Sequence, residues 1–282
     1  MSTPAVTKVL MQGLTFPESP RWQDNSFWFS DFYSHQVVRL ELDGSHQVVA
    51  RVPQRPSGLG WRNGQLLVVS MLDCKLMQVQ DTGLIEVNDL SPYATGPCND
   101  LVMDAHGRAY IGNFGFDRHG GQLPRTTCLV CIEPDGRVRR VAEDVFFPNG
   151  MVITPDGRTL VVAESLGECL TAFDIDQVGD LHRRRVFAAL PGSFPDGICL
   201  DEEGAIWLAD PYGKRVMRVF EGGRIDQSYT FEDRGCYACM LGGPDRKTLF
   251  LCTSSTVGPL AAEKRDGRIE TLRVQVAGAG RP

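Results

Sequence analysis

Short runs of apolar residues recur along the whole chain, and a polar turn containing Gly, Asn or Asp introduces each run. Within the runs, apolar and polar positions alternate with a period of two, as in Ala205–Asp210 and Arg215–Phe220. This alternation is typical of β-strands. No amphipathic stretch of convincing helical length separates the runs, which a parallel α/β fold would require. The pattern therefore predicts an all-β protein.

The turn-plus-strand units repeat about six times. Their equivalent turn positions are Asn25, Gly64, Gly107, Gly157, Gly204 and Arg246. The mean spacing of about 44 residues is the length of one propeller blade. We therefore predict a six-bladed β-propeller, with four-stranded antiparallel blades around a central channel, as a single domain over residues 1–282. A strand around Lys8 to Gln12 should close the ring by pairing with the last blade near Ile269 to Val276.

A second element recurs upstream of the turns. It reads Phe16-Pro17-Glu18-Ser19, Arg55-Pro56-Ser57-Gly58, Gly96-Pro97-Cys98-Asn99-Asp100, Phe147-Pro148-Asn149-Gly150 and Phe194-Pro195-Asp196-Gly197. In a propeller this position starts the innermost strand, so equivalent residues of different blades converge on the channel. We expect Glu18, Asn99, Asn149 and Asp196 to meet there. Each motif alone is also a common turn sequence, but recurrence in phase with the blades favours a site.

These converging side chains predict a metal site. Two carboxylates aimed at one axis repel each other unless a cation joins them. Glu18 and Asp196 carry two negative charges and Asn149 adds a neutral oxygen, which matches one divalent ion. We expect Ca²⁺, with Mg²⁺, Mn²⁺ or Zn²⁺ as alternatives. Three protein ligands leave positions open for water and substrate, as in catalytic metal sites.

The order of the motifs resembles the regucalcin and gluconolactonase family, also called the senescence marker protein family. The resemblance covers nearly the whole chain, through Phe16–Trp22, Asn99-Asp100, Phe147–Met151, Pro195–Gly197 and Gly242–Asp245. It implies a six-bladed propeller with one divalent metal on Glu18, Asn149 and Asp196. The implied reaction is ring-opening of a lactone to a hydroxy acid.

The resemblance also implies individual roles. Asn99 would contact metal-bound water or the substrate, and Asp196 would be the general base that deprotonates the attacking water. The metal would polarise the lactone carbonyl. In one respect the chain departs from the family. Members that act on sugar lactones resemble Arg-x-Asn-Asp where this chain has Pro97-Cys98-Asn99-Asp100, so a less polar lactone, or a pocket completed by another residue, is expected.

The loop Phe114–Gly121 has glycines near both ends, and it is interpreted as a lid whose Phe114, Arg118 and His119 contact the substrate. A plain surface loop is the alternative. Three other functions stay open: hydrolysis of another ester or phosphoester at the same metal, calcium binding without catalysis, and a scaffold for protein partners. Converging carboxylates argue against the scaffold.

Composition limits the partners and the location. The 282 residues carry a formal net charge of −6, and the basic runs are short, which argues against nucleic-acid or membrane binding. Neither a transmembrane segment nor a signal peptide is evident, so we expect a cytoplasmic monomer or small homo-oligomer acting on a small-molecule lactone. The nine cysteines are expected to be reduced. The pairs Cys128–Cys131 and Cys236–Cys239 are interpreted as buried strand residues, not as zinc ligands.

Overall fold

A computed structural model describes residues 2–118 and 120–280, and nearly all of its regular structure is β-strand. The strands are β1 Thr3–Pro4, β2 Lys8–Leu14, β3 Pro17–Gln23, β4 Ser26–Asp31, β5 Gln36–Leu40, β6 His46–Arg51, β7 Pro56–Arg62, β8 Gln65–Ser70, β9 Lys75–Gln80, β10 Gly83–Asp89, β11 Cys98–Met103, β12 Ala109–Asn113, β13 Thr127–Ile132, β14 Val138–Val145, β15 Pro148–Ile153, β16 Thr159–Glu164, β17 Cys169–Ile175, β18 Leu181–Ala189, β19 Ile198–Asp201, β20 Ile206–Asp210, β21 Arg215–Val219, β22 Ile225–Thr230, β23 Gly235–Gly242, β24 Thr248–Ser254, β25 Gly267–Arg273 and β26 Gly278–Ala279. The helical elements are a short 3₁₀ helix, Phe32–Ser34, and α1, Pro259–Lys264. Among the described residues, no helix is long and apolar enough to cross a membrane.

Consecutive antiparallel strands form six blades. Blades 1 to 5 are β3–β6, β7–β10, β11–β14, β15–β18 and β19–β22, and blade 6 consists of β23–β25 with β2. The innermost strands, β3, β7, β11, β15, β19 and β23, each contact the innermost strands of both neighbouring blades, including β23 with β3. The contacts therefore run around a closed ring, and the predicted six-bladed propeller is confirmed.

The ring is closed by strands from opposite ends of the sequence. β2 pairs antiparallel with β25, and Lys8 lies opposite Thr271 and Gln12 opposite Arg268. This is the expected closure, although β25 already ends at Arg273. Blade 5 gains two short strands that the pattern did not predict, because β1 pairs parallel with β22 and β26 pairs antiparallel with β19. A two-residue strand is too short to carry a period of two.

The turn positions used to measure the repeat share one backbone conformation. All six have a positive φ, and they are Asn25, Gly64, Gly107, Gly157, Gly204 and Arg246. Glycine and asparagine adopt this left-handed region at the lowest cost, which is why they punctuate the repeat. The repeat therefore marks a structural position in each blade, one turn between the innermost strand and the second strand.

The core lies between the faces of adjacent blades. Phe27 of blade 1 stacks on Phe250 of blade 6, with ring centroids 4.5 Å apart, and both side chains are fully buried. Burying one such side chain contributes about 1.5–3 kcal/mol. Cys128 and Cys131 lie buried in β13, and Cys236 and Cys239 lie buried in β23, so the interpretation of both pairs as strand residues is confirmed.

Candidate active site

The site residues lie at an irregularity that the innermost strands share. In blades 1, 2, 3, 4 and 6 the innermost strand has one extra residue relative to its partner strand, near the start of the pairing. Such a bulge bends the strand and turns a side chain away from the regular pleat. The pairing registers place five residues at equivalent positions, namely Glu18, Ser57, Asn99, Asn149 and Cys236. Asp196, just ahead of β19, is the corresponding residue of blade 5.

In blades 1 and 5, a buried polar residue holds the segment that leads into the innermost strand. The last residue of the second strand is polar and buried in every blade; these residues are Asp31, Ser70, Asn113, Glu164, Asp210 and Ser254. The Asp31 carboxylate accepts a hydrogen bond of 2.6 Å from the Phe16 N–H. In blade 5, Asp210 accepts one of 3.2 Å from the Phe194 N–H. Because Phe16 and Phe194 each start a Phe-Pro motif, these bonds set the position of Glu18 and Asp196.

One cavity of about 670 Å³ collects the predicted site residues. Of the predicted residues it is lined by Glu18, Asn99, Phe114, Arg118, Asn149 and Asp196. His119, the remaining predicted residue, lies outside the described residues. The cavity wall is largely aromatic, with Phe16, Phe147, Phe194, Tyr33, Tyr212 and Tyr237 among its members. The arrangement is a mostly apolar pocket with a few convergent polar groups, as expected of a small-molecule site.

Glu18 and Asp196 are ionisable groups in a dry setting. Glu18 is only 7% exposed, and burial raises its pKa to about 8, while a hydrogen bond from the Ser19 N–H (3.0 Å) works in the opposite direction. The pKa of Asp196 is also raised, first by burial and then by the negative charge of Glu18. The Arg118 guanidinium opposes this rise. The pair therefore resists carrying two negative charges unless a cation compensates them.

Asn149 is held by a hydrogen-bond relay between blades 4 and 5. Its amide N–H donates to Ser165 Oγ at 3.2 Å, and the Ser165 hydroxyl donates to the Pro195 carbonyl at 2.7 Å. The Asn149 carbonyl oxygen is thereby left for another partner. Since Pro195 precedes Asp196, the same relay fixes the distance between the two predicted ligands. The sequence motifs did not reveal Ser165, which follows β16 and has no counterpart in the repeated element.

Asn99 is oriented in a similar way by its neighbours. Its amide N–H donates to the Pro148 carbonyl at 3.2 Å, and the Ser57 hydroxyl lies 3.5 Å from its carbonyl oxygen. The next residue, Asp100, is paired with the buried guanidinium of Arg21 at 2.6 Å. Arg21 also donates to the Leu59 carbonyl at 2.9 Å and so ties together the first three blades behind the cavity.

The geometry fits a hard divalent cation. Asp196 Oδ1 is buried and has no hydrogen-bond partner among the described residues, although buried polar atoms almost always have one. Two carboxylates and the free Asn149 oxygen form an all-oxygen donor set. Residues 2–118 and 120–280 contain no cluster of three or more His, Cys, Asp and Glu side chains that could hold a metal. A metal centre in this cavity would therefore depend on asparagine oxygens.

The predicted lid segment forms one side of the cavity. Phe114 stacks on Phe147 with ring centroids 4.5 Å apart and an interplanar angle of 13°. The Arg118 guanidinium donates to the Tyr212 hydroxyl at 2.9 Å, which connects the segment to blade 5. The segment thus contributes an aromatic surface and a positive charge. Its movement as a lid stays a prediction.

Comparison with known proteins agrees with this geometry. The sequence profile of the SMP-30/Gluconolactonase/LRE-like region matches residues 16–255, which include Glu18, Asn99, Asn149 and Asp196. The chain belongs to the SMP-30/gluconolactonase/LRE-like family. This confirms the resemblance seen in the motifs. The matched range excludes β2 and β25, the strands that close the ring.

Three members of the family give the extent of the similarity. The 6-deoxy-6-sulfogluconolactonase of Pseudomonas putida is 31% identical over 97% of this chain and 96% of its own length. Regucalcin of Danio rerio is 28% identical, over 92% of this chain and 89% of its own. The structure of a regucalcin from Agrobacterium tumefaciens, described as a calcium-binding protein, matches 100% of this chain and 98% of its own with a TM-score of 0.83 and 21% identity. The last comparison shows a shared fold.

Proposed function

We propose that this protein hydrolyses a lactone to a hydroxy acid, with one divalent cation held by Glu18, Asn149 and Asp196. The observation that carries the proposal is the buried, unpartnered Oδ1 of Asp196 beside a second buried carboxylate, in a cavity large enough for a sugar-sized molecule. Membership of a family that includes a lactonase acting on 6-deoxy-6-sulfogluconolactone supports the same chemistry. We propose Ca²⁺ as the cation because every donor is a hard oxygen.

The residues of the chain would share the work as follows. The cation, when bound, supplies Lewis-acid polarisation of the ester carbonyl. Asp196 accepts a proton from the attacking water as the general base. As the bond between the carbonyl carbon and the ring oxygen breaks, the same proton passes to the departing ring oxygen, which becomes the hydroxyl of the product.

Asn99 and the aromatic wall would position the substrate. One N–H of Asn99 is held by the Pro148 carbonyl, and the other can donate to a lactone oxygen. The stacked Phe114 and Phe147 present a flat apolar surface to the carbon skeleton of the ring. These contacts exclude bulk water from the carbonyl, which strengthens the polar contacts to the reacting atoms.

The test is proton release from a panel of sugar-derived and aliphatic lactones. Each lactone is assayed after chelation, after addition of Ca²⁺, Mg²⁺, Mn²⁺ or Zn²⁺, and with Asp196→Asn beside the unaltered protein. We expect activity to return with metal and to fall about 10²–10⁴-fold in Asp196→Asn, because a general base contributes that much. Thermal denaturation of both proteins controls for folding.

Three other outcomes of this assay would each refute a different part of the proposal. Metal binding without turnover of any lactone would refute lactone hydrolysis and favour calcium binding without catalysis. Turnover of an aryl ester or phosphoester in the same assay, with lactones inert, would retain the site and change the substrate. Full activity after chelation would refute the role of the cation.

A further inference from the structure

The cavity contains a positive charge that the proposed reaction does not use. Arg55 lines the cavity from blade 2, and its side chain is half-buried. Its Nε is fully buried and has no hydrogen-bond partner among the described residues. Within residues 2–118 and 120–280, no carboxylate pairs with this guanidinium. The fully buried arginines, by contrast, are paired, as Arg21 is with Asp100 and Arg218 is with Asp201.

The position of Arg55 in the repeat shows how it comes to face the cavity. Phe16, Phe147 and Phe194 precede the proline of the same motif in blades 1, 4 and 5, and all three line the cavity. Arg55 precedes Pro56 in blade 2 and therefore replaces an aromatic wall with a cation. Its backbone has a φ of +73°, a left-handed conformation that is strained for a non-glycine residue. Hydrogen bonds from the Arg55 N–H to the Val52 carbonyl (3.0 Å) and from the Met71 N–H to the Arg55 carbonyl (2.8 Å) hold this conformation.

The guanidinium is held by stacking, so its hydrogen-bond donors stay available. It lies over the Tyr33 ring at 4.6 Å from the centroid. An arginine that stacks on an aromatic face keeps the edge of its planar fork for an oxyanion, which it can bind through two parallel hydrogen bonds. Among the charges with the largest effects on the pKa values of Glu18 and Asp196, Arg118 lowers that of Asp196, and Arg55 does not appear.

We propose that Arg55 is a specificity-determining residue that binds an oxyanion on the substrate, a carboxylate, sulfonate or phosphate carried outside the lactone ring. This inference rests on the proposed lactone hydrolysis and narrows it to acidic lactones. The reacting carbonyl then lies beside the carboxylates of Glu18 and Asp196, and the oxyanion lies beside Arg55 and Tyr33 in another part of the same cavity. Arg118, which also lines the cavity, adds to the positive potential that attracts such a substrate.

Two matched substrate pairs test the proposal. One pair is 5-oxotetrahydrofuran-2-carboxylate and its carboxamide, and the other is glucono-1,5-lactone with and without a 6-phosphate. We expect the anionic member of at least one pair to have a kcat/KM at least about tenfold higher, and the preferred pair identifies the type of oxyanion. Arg55→Met should lower kcat/KM for the anionic member about 10–100-fold, mainly through KM, and change the neutral member less than about threefold.

Two further variants separate charge from shape. Arg55→Lys keeps the charge but loses the planar fork, so it should recover only part of the preference. Arg224→Met is the matched control, because Arg224 also stacks on an aromatic ring, Phe220 at 4.0 Å, but lies outside the cavity. Arg224→Met should leave kcat/KM unchanged for both the anionic and the neutral substrate. Equal losses on the anionic and neutral members in Arg55→Met would overturn the proposal, as would no loss on either.

A binding experiment distinguishes failure of this proposal from failure of lactone hydrolysis. Tetrahydrofuran-2-carboxylate and its carboxamide lack the reactive carbonyl of the ring, so calorimetric titration measures recognition without turnover. Tighter binding of the carboxylate that is lost in Arg55→Met supports the oxyanion site even if no lactone is opened. Equal binding of the two compounds refutes it, whether or not lactones are hydrolysed.

Discussion

Ser165 shows how a residue without chemistry of its own determines the geometry of the candidate site. Its hydroxyl accepts from Asn149 and donates to the Pro195 carbonyl, so it connects two predicted ligands that are far apart in the sequence. Groups that hydrogen-bond to metal ligands hold those ligands in place, and their loss typically lowers metal affinity about 10–100-fold. The asparagine and aspartate could be predicted from the repeat, but their orienting serine could not.

Removing this hydroxyl should weaken metal binding. Ser165→Ala leaves the Asn149 amide free to rotate, and we expect the Kd for Ca²⁺ to rise about 10–100-fold, measured by calorimetric titration. Ser228→Ala is the control, since Ser228 is a buried serine of β22 whose hydroxyl accepts from Ser2 at 3.2 Å and which does not line the cavity. An unchanged Kd in Ser165→Ala would show that the relay does not orient Asn149.

The thiol of Cys98 affects the acidity of the neighbouring Cys74 thiol. Cys98 starts β11 next to Asn99, and its thiol donates to Cys74, which lowers the pKa of the half-buried Cys74 to about 7. Cys169 is also half-buried, but burial raises its pKa. The two thiols have similar exposure, and their pKa values are shifted in opposite directions.

Alkylation should reveal this difference. The thiolate is the reactive form, so the rate of Cys74 labelling by iodoacetamide should rise through a midpoint near pH 7, while Cys169 stays slow. Cys98→Ala removes the donor and should move the Cys74 midpoint upward toward that of an ordinary thiol. Peptide mapping by mass spectrometry measures both rates. Equal labelling of Cys74 and Cys169 at neutral pH contradicts the expectation.

The start of the innermost strand is the element on which the site depends. The glycine after each site residue in blades 2, 4 and 5 packs against the next blade. A Cβ on Gly150 would lie 2.5 Å from the Ile198 nitrogen, and a Cβ on Gly197 would lie 2.4 Å from the Ala238 Cβ. The repeated Pro-x-Gly sequence therefore reflects close approach of neighbouring strands as much as the chemistry of the residue between them.

Substitution of Gly150 should push blades 4 and 5 apart. Gly150→Ala forces a Cβ against backbone atoms, and we expect a loss of about 1–3 kcal/mol in the free energy of unfolding together with weaker metal binding. Gly204→Asn is the control because its site is open and blade 1 carries Asn25 at the equivalent turn. It should cost less than about 1 kcal/mol. Chemical denaturation measures both, and similar losses would argue against the inter-blade clash.

The same element explains which parts of the site the sequence could reveal. Glu18, Asn99, Asn149 and Asp196 follow or lie near a proline, seven or eight residues before a turn, so the period located them. Blade 6 has no proline at this position, and its equivalent residue, Cys236, lies ten residues before Arg246, so the pattern missed it. Arg55 was found as part of a motif, but its unpaired state depends on what the fold brings near it.

For the whole molecule, the period of the turns was sufficient to predict the architecture. Each unit is one blade that cannot bury both faces alone, so the number of units sets the number of blades. The additions to blade 5 could not be predicted, because β1 and β26 are held by backbone pairing with strands that lie elsewhere in the sequence. The alternation of apolar and polar side chains predicts which positions are buried. The backbone pairing of β1 and β26 can be seen only once the ring is assembled.

Ring closure should account for a substantial part of the stability. Deleting residues 2–13 removes β1 and β2, exposes the edge of β25 and removes Leu10 and Met11 from the core between blades 6 and 1. We expect a loss of at least about 3 kcal/mol, a fall in Tm on the order of 6–12 °C, and aggregation through the open edge. Deleting residues 2–6 removes only β1 and should change Tm by less than half as much. Equal effects of the two deletions would assign the stability to β1.

The pairing of β2 with β25 also has a consequence for synthesis on the ribosome. β2 is translated before every strand of blades 1 to 5 and its partner β25 after them, so blade 6 stays incomplete until β25 has been made. Glu18 belongs to the first blade made and Asp196 to the fifth, and the full cavity requires both. A chain whose translation stops early therefore has apolar blade faces without the closed ring that covers them, and such a nascent chain is a substrate for chaperones rather than an enzyme with reduced activity.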